Sequence, residues 1–312
     1  MKRRFIAACA VATAVAALSA AAAGCTRDTA GPGPTAAAAP ARQEEAAGDI
    51  TDADRIVIRH AEQLLVQECM ERKGFRYWVA APPTAEESRS VGYVLDDPGW
   101  AAEHGYGSRL EAKAMAARKT DPNLVHREKL SEDRRSRYLA ALVGGPDTPE
   151  LSVRVPGGGT ITSSVGGCEA GAKERLYGDR ETWFRVDKTV SNLTPLYAAD
   201  LLRDKRFAGA LSKWSRCMSR AGHPYPDPPA AREALPRLTE GLPEKKAFGV
   251  EVRLATTDAT CAHDTRFGTT ARALENEYRD KLRDRYGEEL DAHSRIERAA
   301  LARARQITGS RP

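Results

Sequence analysis

The six cysteines have the most reactive side chains in this sequence, and their spacing limits the chemistry that they can perform. The last four are at least 44 residues apart and no Cys-x-x-Cys pair occurs, so neither a thioredoxin-like redox centre nor a zinc knuckle is indicated. In an exported chain, an even number of cysteines at such spacings predicts structural disulfides. The six are Cys9, Cys25, Cys69, Cys168, Cys217 and Cys261.

The first 24 residues indicate export. A basic start at 2–4, without any acid, precedes an apolar stretch over 5–23 and then small residues before Cys25. This order is that of a secretory signal peptide. The sequence therefore predicts a signal peptide over 1–24, which takes Cys9 with it when it is removed.

The segment before Cys25 resembles the lipobox of bacterial lipoproteins. Ala22, Ala23 and Gly24 are small, as the signal peptidase requires, although Ala22 stands where the pattern usually has Leu. In such proteins the cysteine thiol receives a diacylglyceryl group before cleavage, so Cys25 would become the first residue of the mature chain. The alternatives are an ordinary cleaved signal that leaves a free cysteine and an uncleaved Ala-rich anchor.

Lipidation predicts a location on the extracytoplasmic face of the cell membrane, with membrane lipid as the partner of Cys25. Two acyl chains anchor a protein stably, because each buried methylene adds about 0.8 kcal/mol. No later stretch reaches the roughly 18 to 20 apolar residues of a spanning helix. Residues 26–48 are rich in Ala, Gly and Pro without periodicity, so 25–48 is predicted to be the lipidated cysteine followed by a flexible tether.

Two of the remaining cysteines begin the same motif. Cys69 and Cys217 are each followed by Met, by Gly five residues after the cysteine and by Tyr three residues later. A Gly in this position ends a helix in the left-handed conformation, so both motifs predict helix ends. Cys168 and Cys261 also lie in helix-like contexts. Of the three possible pairings, the apparent duplication favours Cys69 with Cys168 and Cys217 with Cys261.

Several segments together resemble a group of uncharacterised secreted proteins and lipoproteins of actinobacteria. They are the motif at 217–228, the segment 178–184, the hairpin at 153–159 and the charged C-terminal helix, and the likeness covers most of 50–306. The resemblance implies an exported, cysteine-paired, largely helical protein. It implies no activity.

The hydrophobic spacing predicts a mainly α-helical fold. Helices are expected over 52–73, with Thr51 or Asp52 as the N-cap, and over 130–142. Residues 151–163 alternate around a Pro-Gly-Gly-Gly turn and predict one β-hairpin. A hairpin alone is marginally stable in water, so we expect it to pack on helices.

Two disulfide-stapled helical units are predicted, one over 49–180 with the hairpin and one over 181–312. In the second unit, a helix is expected over 242–267. Apolar residues then recur every four positions within 269–306 and predict one long C-terminal helix, with Gly287 as a kink.

The sequence lacks the motifs of common catalytic sites. No Gly-x-Ser-x-Gly elbow, Ser-x-x-Lys pair, His-Glu-x-x-His helix or phosphate-binding loop occurs. The six histidines are scattered, and no two have the i,i+4 spacing that would place both on one helix face for a metal. No catalytic residue, cofactor or metal site is therefore assigned from the sequence.

An acid–base alternative rests on two acidic pairs, at 86–87 and 96–97. Such residues can act on a wall polysaccharide if a cleft holds two carboxylates apart. Both pairs lie in 79–108, which is rich in Pro and Gly and is expected to be irregular. We interpret Trp100 and Tyr106 of this segment as side chains that fill the core beneath a loop. The alternative is that they line a pocket.

The charge balance excludes a protein that binds polyanions by its overall charge. Lys and Arg number 48 against 43 Asp and Glu, a net charge of +5. Residues 1–24 hold three bases and no acid, so the rest of the chain carries only +2. The run at 279–285 alternates in sign, which is typical of a solvated helix face, and no nucleic-acid partner is expected.

From these observations we expect an exported, membrane-anchored lipoprotein that binds an envelope protein, a cell-wall polymer or a small ligand without catalysis. The alternative is a cell-wall hydrolase or modifying enzyme that uses Asp and Glu. A third class, the solute-binding receptor, predicts two lobes of alternating strands and helices, and one hairpin among helices does not support it.

Replacing Cys25 by Ser should prevent both lipidation and the cleavage that follows it, because serine offers no thiol for the diacylglyceryl group. The mass of the membrane-bound and soluble forms, compared with those of the wild type, measures the loss of lipid and of processing. Cys9→Ser is the matched control and should leave both unchanged, since Cys9 belongs to the predicted signal peptide. Unaltered processing and lipid content of the Cys25→Ser form would contradict lipidation.

Overall fold

The computed structural model describes residues 50–309. The predicted signal peptide over 1–24 and the lipidated cysteine with its tether over 25–48 lie outside the described residues. Within 50–309 the chain forms fifteen α-helices and one two-stranded antiparallel sheet, which confirms the mainly α fold with a single hairpin. In this part of the chain, no helix has the length and apolar content needed to cross a bilayer.

The elements alternate between long helices and short connecting ones. The first are α1 Asp52–Arg72, α2 Ala85–Ser88, α3 Pro98–His104, α4 Ser108–Lys119, α5 Pro122–Glu128, α6 Glu132–Val143, β1 Glu150–Arg154, β2 Thr160–Ser164 and α7 Gly167–Tyr177. The others are α8 Arg180–Val190, α9 Ala198–Arg203, α10 Lys205–Arg220, α11 Pro228–Glu233, α12 Leu235–Thr239, α13 Glu244–Asp264, α14 Phe267–Asp280 and α15 Arg283–Thr308.

Both copies of the Cys-Met motif end a helix as predicted. After α1, Gly74 has φ +78°, and the amide of Phe75 donates to the carbonyl of Met70 at 2.9 Å. After α10, Gly222 has φ +85°, and the next amide donates to the carbonyl of Met218 at 2.8 Å. This is the Schellman arrangement, which satisfies carbonyls that the helix leaves open. Both methionines are fully buried, so the same motif also anchors each helix end in the core.

The two disulfides join Cys69 to Cys168 and Cys217 to Cys261, the pairing that the duplicated motif favours. The first connects α1 to α7 and the second connects α10 to α13, each with 5.6 Å between the Cα atoms. Each bond therefore links the end of a motif helix to a second helix of the same core.

Two main hydrophobic cores lie beneath these disulfides, and each contains residues from both sides of the predicted boundary at residue 180. The first core combines α1, α6 and α7 with the C-terminal helix α15. The second combines α10, α13 and α14, and α3 packs on α13 beside it. The first core takes α15 from the range 181–312, and the second takes side chains of the segment 93–106 from the range 49–180.

The predicted continuous helix over 269–306 is divided in the structure. Helix α14 ends at Asp280 and α15 begins at Arg283, and the remaining irregularity lies at Tyr286, with φ −126°, beside the predicted kink at Gly287. Leu274 on α14 belongs to the second core, whereas Leu301 on α15 belongs to the first. Because of this break, two consecutive helices pack in different cores.

The segment 79–108 is more ordered than expected. Thr84 begins α2 with a capping box, and Asp97 accepts a hydrogen bond from the amide of Trp100 at 3.0 Å and caps α3. Trp100 is only 7% exposed and packs against α13, in agreement with its interpretation as a side chain that fills the core. The segment is irregular as predicted except for these two short helices, which form because local caps outweigh the helix-breaking effect of the prolines and glycines around them.

Replacing both cysteines of one disulfide by Ala should lower the free energy of unfolding by about 4 to 5 kcal/mol in the chain-entropy estimate, because the bonds close loops of 99 and 44 residues. Urea unfolding of residues 26–312, followed by circular dichroism, measures the loss. Alkylation of the unfolded wild-type segment without reductant should leave its mass unchanged. Four alkylated thiols would contradict the disulfides.

Candidate functional site

A cleft with a volume of about 300 Å³ lies between the β-hairpin and helices α7 and α8. We call it the hairpin cleft. Its lining consists of Val143, Leu151, Thr162, Ser163, Ser164, Gly166, Glu169, Ala170, Lys173, Arg180, Trp183, Phe184, Asp187 and Lys188. Apolar side chains thus share the cleft with three hydroxyls, three cations and two carboxylates.

The hairpin supplies one wall of the cleft. Its strands are antiparallel, and the register places Leu151 directly opposite Ser163. Because side chains alternate between the two faces of a strand, β1 turns Leu151 and Val153 inward, and β1 packs against α8. The alternating sequence that predicts the hairpin therefore also sets which residues reach the cleft.

Two glycines position the helices that form the other walls. Gly167 has φ +77°, and a Cβ atom there would overlap the carbonyl oxygen of Leu142, so only glycine allows α7 to begin against the end of α6. Gly178 has φ +84° and ends α7. Asp179 then accepts a hydrogen bond from the amide of Thr182 at 2.8 Å and starts α8 alongside.

Two cations of the cleft retain unused hydrogen-bonding capacity. Arg180 pairs with Glu174 at 2.6 Å, but its Nε atom is buried and has no hydrogen-bond partner in the described part of the chain. Lys173 has no ion pair within 4 Å among residues 50–309 and acts only at longer range on Glu62. The buried Nε has no surface that a ligand can reach, so the exposed part of the Arg180 side chain and the ammonium of Lys173 are the donors available in the cleft.

The carboxylates of the cleft differ in their surroundings. Burial raises the pKa of Asp187, but interactions with His293 and Lys188 outweigh burial and hold the pKa below its ordinary value. The ammonium of Lys188 lies 2.8 Å from this carboxylate. Asp187 is therefore an ionised group near neutral pH, whereas Glu169 has no ion pair within 4 Å among the described residues.

Trp183 lines the cleft with its faces already occupied. Tyr177 stacks on one face, with ring centroids 4.1 Å apart and planes 3° from parallel. His293 stacks at 5.3 Å, and its other contacts are Glu297 at 3.4 Å and Asp187 at 3.8 Å. A sugar ring therefore cannot lie flat on this indole, and the polar groups must supply the recognition.

The acidic pairs proposed from the sequence have structural roles outside the cleft. Glu87 closes the capping box of α2 and pairs with Lys113. Asp97 caps α3 and lies 2.7 Å from Arg89. Its neighbour Asp96 lies 2.7 Å from Arg272 of α14. The structure therefore does not bring the pairs at 86–87 and 96–97 together in a cleft.

Sequence reasoning missed the polar residues that do converge. The i,i+4 pair of Glu169 and Lys173 on α7 was a visible signal, as was the adjacent pair of Asp187 and Lys188 on α8. Neither signal identifies the hairpin as the opposite wall, because that packing is a tertiary contact. In the range 50–309, no cluster of three or more His, Cys, Asp or Glu side chains could hold a metal ion.

A second polar cluster is built on two buried carboxylates and connects the segment after α3 to the second core. Glu251 accepts hydrogen bonds from the amides of Tyr106 and Ser108, at 2.8 and 3.2 Å. Asp258 accepts from the hydroxyl of Tyr106 and the indole of Trp214, both at 2.9 Å. Since both carboxylates are buried and occupied by these donors, the cluster fixes the packing of the segment and offers no access to a ligand.

Comparison with known proteins leaves the argument to geometry. No protein-family model, no curated protein and no solved structure matches the chain. The hairpin cleft, a concavity that combines polar and apolar side chains, is therefore the basis for the functional proposal.

Replacing Asp258 by Asn should remove a pH dependence of stability. Burial raises the pKa of Asp258 from its usual 3.8 to about 6, despite hydrogen bonds from Tyr106 and Trp214 that lower it. Between about pH 4 and 6 the folded chain therefore holds a proton that the unfolded chain releases, and this contribution to stability is lost as the pH rises through that window.

From about pH 4 to pH 6, the free energy of unfolding should fall by about 3 kcal/mol more in the wild type than in the Asp258→Asn variant. Urea unfolding at several pH values measures it. Asp264→Asn, at an exposed position, is the control and should keep the wild-type slope. Equal slopes for the wild type and Asp258→Asn would show that Asp258 is ionised in the folded state at all these pH values.

Proposed function

We propose that this chain is an exported lipoprotein, held on the extracytoplasmic face of the cell membrane through acylated Cys25, that binds a cell-envelope ligand without catalysis. The N-terminal sequence supports this location, because a basic start, an apolar stretch and small residues precede Cys25. The hairpin cleft supports binding. In this proposal the segment 25–48 holds the domain away from the lipid surface.

The observation that carries the binding proposal is the unused donor capacity in the cleft. The exposed part of the Arg180 guanidinium and the ammonium of Lys173 are matched by an acceptor that carries negative charge. Hydroxyls of Thr162 and Ser163 line the same space and suit a hydroxyl-rich group. A carboxylate-bearing, hydroxyl-rich segment of a cell-wall polymer combines both features.

The dimensions of the cleft favour such a segment over an envelope protein. About 300 Å³ is at the lower end of the range for small-ligand sites, which run from roughly 300 to 1,000 Å³. A stable protein interface buries roughly 1,200 to 2,000 Å² of mostly convex or flat surface. One or two units of a polymer would fill the hairpin cleft, whereas a protein surface would not enter it.

The acid–base alternative is supported by one observation: Glu169 and Asp187 line the same cleft. A hydrolase of this type needs one carboxylic acid with a raised pKa and one ionised carboxylate. The pKa of Asp187 is lowered, so it suits only the second role. Clearing of purified cell wall in a zymogram, abolished by Glu169→Gln, would establish this alternative and end the non-catalytic proposal.

Replacing Lys173 or Arg180 by Gln should weaken binding of soluble cell-wall fragments about tenfold, since a hydrogen bond to a charged group contributes roughly 1.5 to 3 kcal/mol. Calorimetric titration of residues 26–312 with these fragments measures the change. Arg185→Gln, on the same helix as Arg180 but outside the cleft, is the matched control. The same affinity for all four proteins, or no binding by the wild type, would contradict the proposal.

A further inference from the structure

A groove of about 430 Å³ lies between α10 and the turn that joins α13 to α14, remote in sequence from the hairpin cleft. We call it the basic groove. Its lining is Lys213, Arg216, Arg220, Asp264, Thr265 and Arg266. Four cations thus face one carboxylate in a concave surface, although the chain after residue 24 is close to neutral overall.

The cations of the groove are exposed and are not neutralised by the protein. Among residues 50–309, none of the four has an ion pair within 4 Å, and the side chain of Arg216 donates only to the hydroxyl of Ser212, at 3.1 Å. The single carboxylate, Asp264, lies 3.1 Å from His263. Other arginines in 50–309 also lack an acidic partner, but here four unpaired cations line one groove, and this concentration of positive charge is a distinct feature of the surface.

The cations on α10 form a row. Lys213, Arg216 and Arg220 follow the spacing i, i+3, i+7, which places them on one face over about 10 Å of helix axis. The Cys217–Cys261 disulfide fixes this helix to α13, so the two walls of the groove are held in place before any ligand arrives. This rigid row is longer than a single phosphate group, and its length matches a ligand that carries several anionic groups in succession.

Arg266 is held in the groove by an unfavourable backbone conformation. Its φ and ψ are 56° and 28°, in the left-handed region, and every other residue with positive φ in the described range is glycine. It follows the C-cap of α13, where glycine is the favoured residue because a Cβ atom is strained there. An arginine at this position makes the fold less stable than glycine would, but it adds a fourth positively charged group to the groove.

We propose that the basic groove binds successive phosphate groups of a polyol phosphodiester polymer. Guanidinium groups bind phosphate through paired hydrogen bonds, and three of the four cations are arginines. The lining contains no aromatic side chain, whereas proteins that bind single-stranded nucleic acid stack bases on aromatic rings. The groove is shallow and open, so a flexible chain can lie along its row of exposed cations.

This site is independent of the hairpin cleft, and its test uses separate variants. Residues 26–312 are titrated with a glycerol phosphate oligomer, inorganic phosphate, an oligothymidylate, and vesicles of equal parts phosphatidylglycerol and phosphatidylcholine. The oligomer should bind at least tenfold more tightly than the other three, with an affinity that falls as salt rises. Tighter binding of the oligothymidylate or the vesicles, or no binding of the oligomer, would overturn the proposal.

Three variants locate the site. Arg216→Gln with Arg220→Gln should weaken oligomer binding at least tenfold, and Arg134→Gln, an exposed arginine of α6 outside the groove, should leave it unchanged. Arg266→Gly should weaken binding several-fold and raise the midpoint of thermal unfolding, because glycine relieves the backbone strain. Loss of binding in a variant that is more stable cannot come from misfolding. Unchanged affinity in Arg266→Gly and in the double variant would refute the assignment.

Discussion

Both candidate binding surfaces depend on a covalent bond between the ends of two helices. Cys69–Cys168 fixes α7, whose side chains form one wall of the hairpin cleft. Cys217–Cys261 fixes α10, which carries most of the basic groove. In each case the cysteine precedes a buried methionine at the helix end, so the bond and the apolar anchor act at the same point. The surfaces are therefore built on the most constrained parts of the molecule, where preorganisation lowers the cost of binding.

The charged side chains of the structure fall into two groups with different physical roles. Glu251 and Asp258 are buried, and protein donors surround them, so they determine how one segment packs. The cations of the basic groove are the opposite case, because they are hydrated and lack acidic partners within the described residues. Arg180 lies between these extremes, with one end of its guanidinium paired and its Nε buried without a partner. Recognition sites are expected where charge is incompletely satisfied, and this criterion separates the hairpin cleft from the cluster of buried carboxylates.

Local signals in the sequence predicted local structure well. The Cys-Met motif predicted both helix ends, and the alternation around the Pro-Gly-Gly-Gly turn predicted the hairpin, because turn and cap chemistry act within a few residues. The predicted long C-terminal helix is confirmed as α15, but it begins at Arg283 and not at residue 269, since α14 before it packs on a different core. The ion pair of Asp96 with Arg272 spans 176 positions and has no local signature. The lining of both concavities likewise depends on which elements meet in space, and a single sequence does not reveal that.

The interleaving of the two cores constrains the order in which the chain can fold. Ala300, Leu301 and Ala304 of α15 lie in the same core as Ile58 and Val66 of α1, so that core stays incomplete until almost the entire polypeptide has been synthesised. In an N-terminal portion of the chain, α1 can pack on α6 and α7 but lacks its contact with α15. Such a portion leaves part of its apolar surface exposed for longer than a polypeptide whose first half folds alone. For the export proposed above, this delay would keep the chain open during passage through a translocation pore, with disulfide formation following afterwards.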